Sequence, residues 1–570
     1  MKASTQQNIK TLGITVFVLI VLNVLGTLFF HRFDLTKDKR YTLSETSLQI
    51  VKQVKNPLSI KIYMQGDLPA DFKRLQQETR QLLEEFQAYN SNIVFEFVNP
   101  MENKDESMDV VKSLYQKGLT PINITVDDKG KQSQAMVFPW AVAVYNNKEV
   151  NIPLLKNIMG ASTTQKVIGS IQHLEYSIAD AINKISKDRQ KKVAIIKGNG
   201  ELSEIHIAKL LQQIRESYYI GPFTLDSVAK NPTGTLEALK KYDLAIISKP
   251  TETFSDEEKQ VLDQFIMNGG KTLWLIDQVA ADMDSLYNQA GATLAYPRDL
   301  NLNDMFFKYG FRINPDLIKD EQGSPIKLAT GEQGSATQYQ DFVWKYAPQV
   351  YPASQHPIVK NLGGIKFDFA SPIDTLKNGI KKTVLLQSSQ YSKVVGTPVE
   401  INLNSVTEKT SPQDYLNKGN IPLSVLLEGN FHSAFENRVL PFKENAFLAK
   451  GKPNKMIVIA DGDLARNQLD KNMMPVELGY DQRTGNLYDN KDFMMNCVNY
   501  LLDDTGLINI RSKDVNLPLL DKEKVYENYS LTQFITIGLP ILILLVFGLV
   551  FTYIRKRIYS KEMLIKKLRN

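Results

Sequence analysis

The stretch KVAIIKGNGELSEIHIAKLLQQIRES, residues 192–217, decides the fold of the largest part of this chain. It starts with an apolar run typical of a buried strand, passes through Gly198-Asn199-Gly200-Glu201, and continues in a helical pattern from about Ser203 to Ser217. A strand, a glycine loop and a helix in this order predict one unit of a parallel sheet that is covered by helices on both faces.

The same alternation continues towards the C-terminus. YDLAIISKP and KTLWLID predict further strands, and Ser255-Asp256-Glu257-Glu258 between them predicts a helix that opens with a capping box. Residues 278–390 are more irregular and are interpreted as an insertion, after which KKTVLLQSS, IPLSVLLEG and KMIVIAD resume the strand pattern. We therefore predict a flavodoxin- or amidotransferase-like α/β domain with a parallel sheet over residues 191–510.

Residues 56–190 predict a smaller α/β domain. Its elements are the strand NPLSIKIYM, a helix over Asp71–Tyr89, the strand NIVFEFVNP, a helix over Asp105–Lys117, three strands within PINITVDD and AMVFPWAVAVYNNKEVNI, and a helix over Ser170–Ile185. This order resembles a thioredoxin-like fold. Met64-Gln65-Gly66-Asp67 takes the place of the redox cysteines, which excludes oxidoreductase chemistry. Cys497, the only cysteine, is expected to be a small buried hydrophobe.

Two apolar stretches predict transmembrane helices that flank these domains. FITIGLPILILLVFGLVFTYI, residues 534–554, has no charge and as a helix reaches about 31 Å, which matches the hydrocarbon core of a bilayer. Leu12–Phe30 predicts a second span, which we interpret as an uncleaved anchor because bulky Leu28, Phe29 and Phe30 replace a small-residue cleavage site. The other interpretation is a signal peptide, since Lys2 and Lys10 precede the apolar run. The tail, residues 555–570, carries seven Lys or Arg and one Glu, so the positive-inside rule places both termini in the cytoplasm and the bulk of the chain on the other side of the membrane.

The predicted domain organisation follows from these elements. It comprises a cytoplasmic N-terminus with transmembrane helix 1 (1–33), a juxtamembrane helix capped by Ser44 (34–55), the thioredoxin-like domain (56–190), the flavodoxin- or amidotransferase-like domain (191–510), an extended linker (511–533), transmembrane helix 2 (534–554) and the basic cytoplasmic tail (555–570).

The charge of the chain points to membrane lipid and not to nucleic acid. The formal net charge is +6, and the tail alone carries +6, so the remainder is close to neutral. Basic residues beside a membrane span interact with anionic lipid headgroups. The five histidines are scattered and do not form a metal-binding spacing, so we predict no metal and no cofactor.

Two motifs at predicted strand ends are candidate binding or structural sites. Gly198, Asn199, Gly200 and Glu201 follow a strand and precede a helix, where doubly wound sheets bind anions; the other interpretation is a tight turn. Asp461, Asp463 and Asn467 follow the strand KMIVIA and offer oxygen ligands for Mg²⁺ or Ca²⁺; the other interpretation is capping of turns and helices. We predict no catalytic residue, because no nucleophile elbow is present. The alternative to a protein without catalytic residues is a membrane-tethered periplasmic hydrolase or ligand-binding enzyme that uses Glu201 and Asp461/Asp463.

The chain resembles the GldG-type auxiliary proteins of the gliding-motility ABC transporter nearly from end to end. Besides the two motifs above and the basic tail, the residues that carry the resemblance are the juxtamembrane residues Asp34, Leu35, Thr36, Arg40, Tyr41, Thr42, Leu43, Ser44, Glu45 and Thr46, and the helical stretch Leu174 to Ile182. Asn199 departs from the Gly-His-Gly-Glu form expected of the family, which favours a structural or binding role for that loop.

The resemblance implies a non-catalytic subunit that assembles with a multi-span ABC permease and a cytoplasmic ATPase. It also implies a bacterial inner membrane of the Gram-negative type and a large periplasmic region that binds cargo or a partner, with the cargo unknown. No nucleotide-binding motif is present in the sequence, so ATP hydrolysis is expected to come from a partner chain.

Overall fold

The computed structural model describes residues 2–567 apart from 29–33, 35, 37–38, 41, 103–106, 129–130, 159, 188, 334–335, 417 and 514–521. The chain divides into two compact units, Met1–Val515 and Asn516–Asn570. The first unit mixes helices with parallel and antiparallel strands, which confirms the predicted α/β class.

The first unit begins with helix α1 (Lys2–Leu28), followed by helix α2 (Glu45–Lys52). Helix α2 starts where the capping pattern predicts, since the Ser44 side chain accepts a hydrogen bond from Ser47 N at 3.2 Å. Lys10–Asn23 is an apolar helical segment shorter than a membrane span, so the first transmembrane helix stays a prediction.

A four-stranded sheet is built from residues 58–153. The elements in this part are β1 (Leu58–Ile62), α3 (Ala70–Tyr89), β2 (Ile93–Phe97), α4 (Ser107–Gln116), β3 (Ile122–Asp128), β4 (Lys131–Val137), β5 (Trp140–Tyr145), β6 (Lys148–Pro153) and α5 (Thr163–Ser186). The strand order is β2-β1-β5-β6, with β1 and β2 parallel and the other pairs antiparallel. Strand β6 is therefore an edge strand.

Two predictions in this part differ from the structure. Four strands form where we predicted three, because the stretch AMVFPWAVAVY divides at Phe138-Pro139 into β4 and β5. Among the described strands, β3 and β4 pair only with each other as a separate hairpin. Helix α5 begins at Thr163 instead of Ser170, because Ser162 and Gln165 form a capping box that extends it by two turns. Asn146 and Asn147 form the turn between β5 and β6, and both residues have positive φ (49° and 64°) as a two-residue hairpin requires.

A seven-stranded sheet forms the centre of the larger part. Its first elements are β7 (Lys192–Lys197), α6 (Ala208–Ser217), β8 (Tyr219–Thr224), α7 (Pro232–Leu239), β9 (Leu244–Ser248), α8 (Asp256–Met267) and β10 (Lys271–Leu275). A single 3-10 turn, Glu204–Ile207, precedes α6 within the predicted helix.

The irregular stretch after β10 contains several small sheets. The elements are β11 (Val279–Ala280), β12 (Ala292–Pro297), α9 (Asn303–Tyr309), β13 (Phe311–Ile313), β14 (Asp316–Asp320), β15 (Gly323–Gln333), β16 (Ala336–Val350), β17 (Ile365–Lys366), β18 (Ile373–Thr375), β19 (Lys381–Gln387), β20 (Ser392–Gly396), β21 (Val399–Asn402), β22 (Pro422–His432), β23 (Lys450–Ile459) and α10 (Asn490–Leu502).

Strands β19, β22 and β23 return to the large sheet, whose order is β19-β22-β23-β10-β9-β7-β8. The five strands from β23 to β8 are parallel, while β22 and β19 are antiparallel. Numbered along the chain, the parallel strands follow the order 2-1-3-4-5 of doubly wound sheets. Buried apolar residues cover both faces of the sheet, as the continuous apolar strands predict, and Cys497 lies among them as a free, fully buried thiol.

The second unit is helical where the structure describes it. It contains α11 (Lys522–Glu527), α12 (Tyr529–Gln533), a π-helical turn (Phe534–Gly538) and α13 (Leu539–Lys567). The predicted extended linker is thus partly helical, because residues 522–533 contain no Gly or Pro and include good helix formers.

Residues Tyr529–Arg557 form one helix long and apolar enough to cross a membrane. It is longer than the predicted span, residues 534–554, and Pro540 lies inside it. The π-helical turn directly before Pro540 accommodates the missing N–H and the clash of the proline ring with the preceding turn.

Candidate functional site

The loops that follow β7 and β9 meet at the carboxyl edge of the parallel sheet. Leu202 N donates to Ser248 O at 3.0 Å, and the backbone N–H groups of Thr251 and Glu252 donate to Asn199 O at 2.9 and 3.0 Å. Strand order reverses between β7 and β9, and ligands of doubly wound sheets bind at such a reversal. The predicted glycine loop therefore lies at the position where this fold class binds ligands.

The glycine loop is closed by its own side chains. Gly198 and Gly200 have φ of 121° and 70°, which only glycine adopts without strain, and a Cβ on Gly200 would collide with the Thr251 hydroxyl. Glu201 Oε2 accepts from Asn199 N at 2.9 Å, and Asn199 Nδ2 donates to Glu258 Oε2 at 3.1 Å. These bonds describe a tight βα turn.

Two oxygens of this loop have no hydrogen-bond partner within the described residues. They are Asn199 Oδ1 and Glu201 Oε1, and both are shielded from solvent. Burial raises the pKa of the Glu201 carboxyl above its ordinary value. The loop thus holds two buried acceptor oxygens that no described group of the protein hydrogen-bonds.

Lys249, directly after β9, was not predicted as part of either motif. Its ammonium lies 2.6 Å from Asp463 Oδ2, 3.2 Å from Asp277 Oδ2 and 3.6 Å from Asp282 Oδ2, and its side chain is 7% exposed. Burial opposes the charge, but Asp277 and Asp463 outweigh it and raise the pKa of Lys249. The backbone of Lys249 is left-handed (φ 55°), which turns the chain sharply at the end of β9.

Asp461 and Asp463 occupy different positions around this lysine. Asp461 is fully buried, and its two oxygens accept hydrogen bonds from Asp463 N and Asp368 N, each at 2.7 Å. Burial and the neighbouring Asp277 and Asp463 raise the pKa of Asp461 well above its ordinary value. Gly462 is required between them, because a Cβ there would lie 2.5 Å from Lys249 Cγ.

The arrangement favours an internal ion cluster over a metal site. The Lys249 ammonium lies among the carboxylates of Asp277, Asp282 and Asp463, where a divalent cation would otherwise bind. No group of three or more His, Cys, Asp or Glu with metal-binding geometry occurs in the part of the chain that the structure describes.

Asn467 does not join the two aspartates but caps a helix from a distance. Its Oδ1 accepts from Lys209 N at 3.0 Å in the first turn of α6, and its Nδ2 donates to Val476 O at 3.0 Å. Asn467 N also donates to His206 O at 2.6 Å. The residue is 1% exposed, so it connects the segment after β23 to the helix after β7.

The juxtamembrane motif forms a compact turn. Asp34 Oδ1 accepts from Thr36 N at 2.9 Å, and Asp34 Oδ2 accepts from the Thr42 hydroxyl at 3.1 Å. Arg40 N donates to Thr36 Oγ1 at 3.2 Å. Leu43 is buried, Thr46 is half-buried on α2, and Tyr41 lies outside the described residues.

Glu175 on α5 is the residue on which this motif converges, and sequence reasoning assigned it no role. Its Oε1 accepts from Ser44 N at 2.7 Å and from the Ser47 hydroxyl at 2.8 Å. Its Oε2 pairs with Lys513 Nζ at 2.8 Å, and the same ammonium donates to Thr42 O at 2.7 Å. The segment before α2 and the segment after α10 therefore both bind the carboxylate of Glu175.

A cavity of about 2140 Å³ lies between the two sheets and was not predicted. It is lined by β6, α5, α6 and α10. At its buried part, Lys156 pairs with Asp489 at 3.4 Å, and Arg511 Nη1 lies 3.1 Å from His173 Nε2. Burial, together with Arg511 and Lys156, lowers the pKa of His173 well below its ordinary value, so the ring is neutral and accepts from Arg511.

Comparison with known proteins gives a family match over the larger part. A family described as an ABC-type uncharacterized transport system matches residues 190–497, which is more than half of the chain, and a domain of unknown function matches residues 37–144. An uncharacterized protein of Borreliella burgdorferi is 22% identical over 555 residues, covering 96% of this chain and 97% of that protein. Among solved structures, the mmIFT52 N-terminal domain is 14% identical and covers 55% of this chain and 99% of its own, with a TM-score of 0.31, which is too low to support an argument.

Proposed function

Because this chain belongs to the auxiliary family of ABC-type uncharacterized transport systems, we propose that it is a non-catalytic membrane subunit of an ABC transporter complex. Its role is to hold a large domain pair outside the cytoplasm, where the pair binds cargo or a partner protein. A multi-span permease and a cytoplasmic ATPase supply the translocation path and the ATP hydrolysis.

Membrane association is supported by the apolar helix Tyr529–Arg557 together with the family. The finer topology, with a first span at Leu12–Phe30, both termini in the cytoplasm and the bulk in the periplasm, is part of the proposal and draws on the charge of the C-terminal tail.

The convergence on Glu175 is the observation that carries this topology. Thr42 and Ser44 follow the first predicted span in sequence, Lys513 precedes the second, and all three contact each other or Glu175 within the first unit. A domain whose two membrane connections leave from one place is suited to a chain with both spans in a single membrane.

We further propose that the complex is the gliding-motility type and that residues 56–190 are a thioredoxin-like domain. The support is the juxtamembrane motif, which includes Asp34, Arg40 and Ser44, and the strand order β2-β1-β5-β6 with one parallel and two antiparallel pairs. The thioredoxin-like domain acts here as a binding module, because its first strand is followed by Met64 and Gln65 in place of cysteines.

Purification of the full-length chain from native membranes in mild detergent tests the assignment. We expect a permease and an ATPase to co-purify in fixed ratio, and a variant that lacks residues 516–570 to lose them. A single stable species without either partner, at all detergent concentrations, would contradict the proposal. Protease added to spheroplasts should digest the central region and leave the tail intact.

A membrane-tethered periplasmic hydrolase or ligand-binding enzyme is the second candidate, and the unused oxygens of Asn199 and Glu201 favour it. Against it, both oxygens of Asp461 accept backbone hydrogen bonds, and Asp463 is paired with Lys249. Glu201→Gln separates the two candidates, because the change removes the charge and keeps the shape. A subunit without chemistry should retain gliding or transport, and an enzyme should lose it with unchanged folding.

A further inference from the structure

Strand β6 has a free edge that faces the large cavity. It is the last strand of the order β2-β1-β5-β6, and Lys148 to Lys156 line the cavity without a break. No strand pairs with its outer side within the described residues. An edge strand of this kind offers backbone N–H and C=O groups to another extended chain.

The register identifies which groups of β6 are free. Leu154 N donates to Pro139 O at 2.9 Å, so Leu154 bonds towards β5. In an antiparallel pair every second residue does so, which in this register gives Ile152 and Val150. The backbone groups of Glu149 and Asn151 therefore point away from β5. Neither has a backbone partner in the described chain.

Charge in the cavity lining sets what kind of chain fits. Among the described lining residues, ten are Lys or Arg and six are Asp or Glu. Lys187, Arg189 and Lys209 belong to this lining and make no ion pair with any described carboxylate. Arg511 at the inner end contacts His173 and the carbonyl of Lys360, and it pairs with no carboxylate among the residues that the structure describes. The surplus of positive charge favours an anionic ligand.

The volume of the cavity favours an extended polymer over a small anion as its ligand. The cavity volume of about 2140 Å³ is more than twice the upper end of the roughly 300–1,000 Å³ typical of small-molecule sites. A free strand edge along one wall supplies regularly spaced donors and acceptors, which a peptide backbone matches and a sugar or phosphate chain does not.

We propose that the cavity between the two sheets binds an extended, acidic polypeptide segment that adds to β6 as a further antiparallel or parallel strand. The Glu149 and Asn151 backbones hold the segment, and Lys187, Arg189 and Lys209 neutralise its carboxylates. This proposal deepens the proposed function and rests on it in one respect, the compartment in which the chain encounters the segment. Binding of the segment itself requires neither permease nor ATPase.

Fluorescence anisotropy on the purified full-length chain in detergent tests the proposal. The probes are fluorescein-labelled 12-residue peptides of alternating Asp and Val, or alternating Lys and Val. We expect the acidic peptide to bind at least about tenfold more tightly, and to weaken as NaCl rises from about 50 to about 300 mM. Equal binding of both peptides would overturn the proposal, even if the transporter subunits co-purify.

Two pairs of variants separate the charge from the strand edge. Lys187→Glu with Lys209→Glu should weaken the acidic peptide by about tenfold or more, while the control Lys443→Glu with Lys471→Glu, exposed and outside the cavity lining, should stay within about twofold. Asn151→Pro removes both the side chain and the outward backbone N–H. Asn151→Ala removes the side chain but keeps the backbone N–H. We expect Asn151→Pro to weaken binding about fivefold relative to Asn151→Ala.

Circular dichroism melting of each variant establishes that it is folded before binding is compared. If the charge variant loses binding but Asn151→Pro and Asn151→Ala bind alike, the site recognises charge alone and strand addition is wrong. A polyphosphate probe that binds as tightly as the acidic peptide, unaffected by Asn151→Pro, would overturn the polypeptide assignment in the same way.

Discussion

Glu175 Oε1 accepts a hydrogen bond from the backbone N–H of Ser44 at 2.7 Å across 131 residues of sequence. Ser44 also caps α2, so one residue orders the helix after the first predicted span and ties it to α5. Lys513 reaches the other oxygen of the same carboxylate. The carboxylate of Glu175 therefore joins the segment that begins α2 to the segment that follows α10.

Glu175→Ala should lower the free energy of unfolding by about 3 kcal/mol, because it leaves the part-buried N–H of Ser44 without its acceptor and removes the carboxylate that pairs with Lys513. Tryptophan fluorescence during urea unfolding measures the change, since all three tryptophans lie in the first unit. Glu84→Ala, on the exposed face of α3, is the control and should stay within about 0.5 kcal/mol. Equal stability of the two variants would contradict the role given to Glu175.

Lys249→Met should destabilise the chain by about 3–5 kcal/mol at pH 7, because the buried carboxylate of Asp277 loses its cation and Asp463 keeps only Arg466, at 3.5 Å. Met keeps an unbranched side chain at this left-handed position, so backbone strain is unchanged. The loss should shrink as the pH falls from about 7 to about 4, since the folded variant takes up a proton on Asp277 that the unfolded chain does not. A loss independent of pH would contradict an electrostatic origin.

Asp368→Asn should remove part of the pH dependence of stability. Burial raises the pKa of Asp368 to about 6, above its value in the unfolded chain. The folded state therefore gains a proton first, and the free energy of unfolding rises as the pH falls through about 6 towards about 4, by roughly 1–3 kcal/mol. We expect the variant to lack this rise, measured by urea unfolding at a series of pH values, and Asp341→Asn on an exposed strand to retain it.

Asn467→Ala should cost about 2–3 kcal/mol, because the first turn of α6 loses its acceptor and Val476 O loses its donor. Asn467→Asp keeps an acceptor for Lys209 N and should recover roughly half of the loss. Thermal melting by circular dichroism at 222 nm measures both. If the Asp and Ala variants melt together, the long-range cap does not stabilise the helix.

Apolar patterning predicts the buried strands of this chain well and its exposed ones less well. Strands β7, β9 and β10 are continuous apolar runs and were located from sequence. Strand β8 was missed, because its sequence contains Gly221 and Pro222. Both are tolerated there because β8 is the last strand of the sheet, where a missing N–H is not needed for pairing.

Several residues of the candidate site could be predicted from the sequence, but which residues lie close together could not. The loop at Gly198 and the pair Asp461/Asp463 were located because glycine and aspartate at strand ends form a pattern. Lys249 was missed, because a lysine after a strand carries no signal until Asp463, which is 214 residues away, comes within 2.6 Å. The cavity between the sheets was missed for the same reason, since its walls come from segments that are far apart in sequence.

The order of strands in the large sheet has a consequence for biosynthesis. Strand β10 ends at Leu275, and its neighbour β23 begins only at Lys450. While the ribosome makes the intervening residues, the nascent chain carries an open, apolar strand edge at what becomes the middle of the sheet. Folding of this part is therefore completed only after residue 459 has emerged, and chains released earlier are exposed to aggregation and to proteolysis.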